Sequence, residues 1–231
     1  KASPLKRPDN TMTQQRFIFP RWTNLVLPFM LVAGSTAPLY VAIVVAYGFS
    51  PQSTDVGYMP EQPIPFSHKL HAGELGVDCR YCHTSVEESA FAGIPPVETC
   101  MTCHSLVWTE APNLEPIRAA WRDEKPLQWN RVHDLPDFVY FRHNIHVAKG
   151  IGCTSCHGAI DEMPLVSVEN ALNMEWCLEC HRQPEKHIRP REHVFDVDWT
   201  PPADQEAQGR RLVEEYDVRV SQLTDCSVCH L

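Results

Sequence analysis

Ten cysteines and five histidines of this chain form five copies of one short pattern, which limits the fold more than any other feature. The copies are Cys79-x-x-Cys82-His83, Cys100-x-x-Cys103-His104, Cys153-x-x-Cys156-His157, Cys177-x-x-Cys180-His181 and Cys226-x-x-Cys229-His230, and no cysteine is left over. Tetrahedral zinc would combine two cysteine pairs and gives no reason for a histidine to follow each one. Five local disulfides would staple almost nothing. The pattern suits covalent haem attachment: the two thiols form thioethers with the haem vinyl groups, and the adjacent imidazole meets the iron as proximal ligand. Five covalently bound c-type haems are therefore expected, with His83, His104, His157, His181 and His230 as proximal ligands.

The rest of the chain fits that expectation. After Ser50 there are few long amphipathic patterns, and the 231 residues hold 20 prolines against 10 glycines. Such a chain struggles to bury enough apolar surface by itself, and haem macrocycles would serve as its core. The expected fold class is a multihaem cytochrome c, mainly short α-helices and loops around five covalent haems, with one N-terminal transmembrane helix. The helical candidates are Asn113–Arg122 and Asp204–Asp217, the second with Leu212, Val213 and Tyr216 on one face.

Residues 22–54 carry no charge, and Leu25 to Tyr47 is long and apolar enough to cross a bilayer. Pro28 and Pro38 would bend such a helix without forbidding it. The run is too long for the apolar region of a signal peptide. Lys1, Lys6, Arg7, Arg16 and Arg21 precede it, opposed only by Asp9, a local +4 that leaves −13 on the remainder of a chain of net charge −9. Basic residues before a span favour a cytoplasmic N-terminus. The expected organisation is a cytoplasmic segment (1–21), a transmembrane anchor (22–49) and a periplasmic pentahaem domain (50–231), in a bacterial inner membrane crossed once. The acidic domain argues against nucleic acid as a partner and could steer a basic redox partner.

A repeat surrounds two of the motifs. Phe66-x-His68-x-x-His71 precedes the first, and Phe141-x-His143-x-x-His146 precedes the third. This arrangement resembles multihaem cytochromes of the cytochrome c3 and c7 type. The resemblance implies that one histidine of each pair ligates the haem of its own motif, while the other reaches a neighbouring haem. His68, His71, His143 and His146 are then four distal ligands for five haems. The fifth could come from His133, His187, His193, Met163, Met174 or nothing, with Met163 ranked first and His133 close behind. His187 and His193 lie in the charged stretch KHIRPREHV and are expected at the surface. Arg142, Arg182, Arg189 and Arg191 could pair with haem propionates.

Longer blocks resemble a narrower family. GYMPEQPIPFSHKLHAGELGVDCRYCH, SAFAGIPPVETCMTCH, RVHDLPDFVYFRHNIHVAKGIGCTSCHG, MEWCLECHR and LTDCSVCH are similar to the pentahaem cytochrome subunit of bacterial alternative complex III, a quinol:electron acceptor oxidoreductase. That resemblance implies an electron-transfer subunit with no catalytic site of its own. It would relay electrons from quinol oxidation to a cytochrome c or a terminal oxidase. The implied partners are a polytopic quinol-binding membrane subunit, an iron–sulfur subunit, a monohaem cytochrome c and membrane lipid. The alternative is a self-contained, membrane-anchored quinol dehydrogenase of the NapC/NrfH type. A multihaem nitrite or hydroxylamine enzyme fits less well, because such enzymes keep an open iron, often beside an altered motif, and all five motifs here end in histidine.

Overall fold

The computed structural model describes residues 19–50 and 53–230; most of the expected cytoplasmic segment lies outside the described residues. The chain divides into two compact units, residues 1–50 and 51–231. In the first, a 3-10 turn, Arg21–Leu25, leads into helix α1, Val26–Gly48. At 1.5 Å per residue its 23 residues span about 34 Å, enough for the hydrocarbon core of a bilayer. The span Arg21–Gly48 has a mean hydropathy of 2.0, and none of its apolar side chains is buried by protein. Pro38 sits inside the helix. One turn earlier, Ser35 Oγ and Thr36 Oγ1 both donate to the Val32 carbonyl, at 2.9 Å each, so these hydroxyls are satisfied within the helix, as an apolar medium demands.

The second unit is a string of short helices with no strand among the described residues. They are α2 (Cys79–Cys82), α3 (Val97–His104), α4 (Glu115–Arg122), α5 (His143–Ala148), α6 (Cys153–His157), α7 (Met174–Arg182), α8 (Gln205–Glu215) and α9 (Cys226–Cys229). The two helices expected outside the motifs, around 113–122 and 204–217, are α4 and α8. Isolated helices this short do not persist in water, so something other than propensity must hold them. Caps hold two of them. Asp78 accepts a 2.8 Å bond from the Arg80 amide at the start of α2, and Asn173 a 2.9 Å bond from the Trp176 amide at the start of α7. Arg80 also grips Asp78 through its side chain at 2.7 Å and holds that carboxyl below its usual range.

Polypeptide packing is confined to small clusters. Ile64, Val97, Leu114 and Ile117 join α3 to α4, with Leu127 and Trp129 against them. Ile188, Leu212 and Tyr216 join α8 to the segment after α7, with Ile151 and Val213 alongside. Gly209 is what lets α8 approach: a Cβ there would run into the backbone of Glu185. Alanine is the better helix former by about 1 kcal/mol, yet here the steric cost decides. Gly209→Ala is expected to lower stability by about 1–3 kcal/mol, read as a lower denaturation midpoint of the intact protein. An unchanged midpoint would mean that α8 does not pack this closely.

The stretch KHIRPREHV is partly buried around the two histidines expected at the surface. It contains the two most deeply buried side chains, Ile188 and Val194, and the buried Arg189; His187 and His193 are half-buried. Arg189 stacks over Trp199 at 4.3 Å and reaches the carbonyls of His193 and Asp196 and the hydroxyls of Thr154 and Ser155, at 3.3–3.4 Å. The guanidinium thus binds the 189–196 loop to α6. Charge density along the sequence suggested solvent, but one arginine can hydrogen-bond several backbone and hydroxyl groups at once and so be tolerated inside.

Candidate haem sites

The five attachment motifs all form helical turns. On a helix, residues at i, i+3 and i+4 share a face, so α3, α6 and α7 each present two thiols and an imidazole to one side, while His83 and His230 follow the ends of α2 and α9 in non-helical conformations. None of the ten cysteines is joined in a disulfide. Cys79, Cys82, Cys100, Cys153, Cys156, Cys177, Cys180 and Cys229 are half-buried; Cys103 and Cys226 are exposed.

Histidine rings are paired across the domain. His68 and His83 lie 6.5 Å apart between ring centres at an interplanar angle of 2°; His143 and His157 lie 6.4 Å apart at 5°. His71 faces His104 at 6.3 Å and 65°, and His146 faces His181 at 6.2 Å and 28°. A first-row metal held by two imidazole nitrogens at about 2 Å each sets the ring centres roughly 6 Å apart. All four spacings fit an iron between the rings. The two copies of the repeat also agree with each other. In each, the first histidine faces its own motif and the second faces the next motif along the chain.

The phenylalanine of each repeat separates its two histidines. Phe66 meets His68 edge-on at 4.9 Å and stacks on His71 at 4.4 Å; Phe141 meets His143 edge-on at 4.8 Å and stacks on His146 at 4.5 Å. One copy rides on a π-helical turn, Lys69–Glu74, and the other on α5. The role of these phenylalanines was not read from the sequence, although their recurrence at a fixed offset was the available signal.

Backbone carbonyls orient the rings. The Nδ1 atoms of His71, His83, His104, His143, His146, His181 and His230 lie 2.6–3.2 Å from the carbonyls of Ser67, Gly93, Val107, Ala90, Arg142, Leu223 and Phe138 respectively. A carbonyl can only accept, so Nδ1 carries the proton and the Nε2 lone pair is left for a metal. Burial, then the neighbouring His83, pushes His68 down to about 4; burial, then His133, pushes His157 down to about 3. Burial also lowers His146. These imidazoles are neutral at pH 7, the form that ligates.

Two of the proposed fifth ligands lie beside other sites. His133 meets His157 edge-on at 4.5 Å, and its buried Nε2 has no hydrogen-bond partner. Met163 is buried, and its carbonyl accepts from the Lys69 amide at 3.0 Å, within the first repeat. The ring against His230 is that of Phe138, at 5.8 Å and 33°. Met174 is 66% exposed at the start of α7. Of the arginines, Arg142, Arg182 and Arg191 are exposed and Arg189 is buried.

Residues 139–231 match the family model of cytochrome c7 and related cytochrome c. That match implies covalently bound c-type haem, in agreement with the ring geometry. The chain is also 35% identical over 127 residues to the multiheme cytochrome c subunit of a menaquinone reductase from Nitratidesulfovibrio vulgaris. The alignment covers 54% of this chain and 60% of the relative's length. Similarity to cytochromes c therefore stands on both comparisons, and similarity to a menaquinone reductase subunit on the second.

Proposed function

We propose that the chain is a pentahaem electron-transfer subunit of a membrane respiratory complex of the alternative complex III type. Its haems would relay electrons one at a time from quinol oxidation to a cytochrome c or a terminal oxidase. The observation that carries this reading is the set of four histidine pairs at 6.2–6.5 Å, each joining a motif histidine to one supplied by a repeat. His68 with His83, His71 with His104, His143 with His157 and His146 with His181 would be axial pairs. His230 would hold the fifth iron, with Met163 or His133 as its distal ligand on the sequence reading. Bis-histidine ligation favours lower potentials than histidine–methionine ligation, which suits a carrier fed by quinol.

In this reading α1 anchors residues 22–49 in the bacterial inner membrane, and residues 50–231 form the haem domain on the periplasmic side. A polytopic quinol-binding subunit and an iron–sulfur subunit would stand on the donor side, and a monohaem cytochrome c or an oxidase on the acceptor side. The domain itself offers wiring, with seven of these nine imidazole rings held by backbone carbonyls. A second reading is favoured by the relative's name, which is that of a menaquinone reductase: the same relay could run toward quinone.

Anaerobic mixing of the purified chain with a menaquinol analogue, followed at the reduced α-band with dithionite setting full amplitude, tests the assignment. Slow reduction of the isolated chain, with rapid reduction in the intact membrane complex, is the expected result. Rapid reduction of the isolated chain would give it a quinol site of its own and the NapC/NrfH-type role. A complex whose dithionite-reduced haems pass electrons to menaquinone, but which menaquinol does not reduce, would support the reductase direction.

A further inference from the structure

The contacts between motifs specify a sequence of neighbours that differs from their order along the chain. His68 and His71 lie three residues apart and face motifs one and two, so those sites adjoin; Tyr81 in the first motif bonds Thr102 in the second at 2.8 Å. The first site also meets the third. The His143 ring and amide are both held by the Ala90 carbonyl just past the first motif, the Asn144 amide donates to the Ser89 carbonyl at 3.2 Å, and the Asn144 side chain donates to the Glu88 carbonyl at 3.1 Å. His143 and His146, on α5, join sites three and four as the first repeat joins one and two. Site four meets site five through His181, whose ring is held at 2.9 Å by the Leu223 carbonyl, three residues before Cys226.

We propose that the five attachment sites form one file in the order second, first, third, fourth, fifth, with the Cys100–His104 and Cys226–His230 sites as its ends. This rests on the five-haem reading above. Solvent exposure supports it independently. Cys103 and Cys226, the exposed cysteines of the ten, belong to the two end sites, and the other eight cysteines are half-buried. Donor and acceptor would then address the second and fifth sites, and an electron leaving the second site would reach the third only by way of the first.

The ends can be distinguished from the interior by counting neighbours. A haem whose charge state changes shifts the potentials of the haems beside it. Pyridine haemochrome analysis first tests the count of five, so that failure of the haem reading is seen separately. EPR-monitored potentiometry of the whole protein then follows two ligand variants. The second site should be recognisable in the spectrum, because imidazole planes at 65° leave the iron d-orbitals more nearly degenerate than the near-parallel planes of sites one and three. His71→Met, which makes the second haem the first to be reduced, should displace one other midpoint; His68→Met should displace two. Chain order predicts the inverse, two for His71→Met and one for His68→Met, and that result would overturn the proposal. Should either variant fail to incorporate haem, proton NMR of the reduced wild-type protein decides. Haem-to-haem cross-peaks between sites one and three, with none between two and three, are expected, and the reverse would refute the file.

Discussion

His146→Met is expected to raise the midpoint potential of one haem by an amount on the order of 0.1 V, because axial ligand exchange is among the strongest controls on haem potential. The affected haem is the one attached at Cys177 and Cys180, not the one attached at Cys153 and Cys156, which follows His146 directly in sequence. This distinguishes the ring geometry from the simplest local assignment. His146 faces His181 at 6.2 Å, while His143 faces His157. Combining the variant with Cys177→Ala and Cys180→Ala removes the haem concerned, so the raised midpoint should vanish from the titration. A raised midpoint that persists would place His146 on another iron. Methionine also lacks the Nδ1 bond to the Arg142 carbonyl, so the new ligand should be less firmly oriented and its low-spin signal broader.

Arg189→Met is expected to destabilise the holoprotein by about 1.5–3 kcal/mol, measured as a lower midpoint in chemical denaturation with the haem count unchanged. The guanidinium is buried and joins the carbonyls of His193 and Asp196 to the hydroxyls of Thr154 and Ser155 over the face of Trp199. Methionine fills similar space and leaves those acceptors without the donor. A variant as stable as the parent would show that water replaces the arginine at no cost, and that the loop is held instead by Ile188 and Val194. Lys is a poor substitute, since a point charge cannot span four acceptors as the planar fork does.

The positions of the motif turns were legible in the sequence because the pattern is local. The structure builds α6 on the full Cys-to-His span and α2 and α9 on the cysteine pair alone, while α3 and α7 begin three residues before it. Even the repeat was legible, because Phe66 and Phe141 stand at the same offset from their histidines. Which iron each histidine reaches is tertiary information. His71 and His104 are separated by 33 positions, and only the folded chain sets them 6.3 Å apart. The apparent polarity of KHIRPREHV misled for a related reason: an arginine's environment is decided by which carbonyls surround it, and those come from a loop and a helix that the local sequence does not describe.

Among the described residues, the small clusters that hold α3 to α4 and α8 to its neighbour, with a few scattered side chains, make up the buried apolar packing. A chain with so little to bury has no stable fallback without its cofactors. Folding and haem ligation would then be a single event, and the abundance of the protein would follow haem supply as much as its own synthesis. Under iron limitation the chain should be cleared by proteases rather than stored empty, which makes the protein's own level a gauge of how much haem the cell can spare.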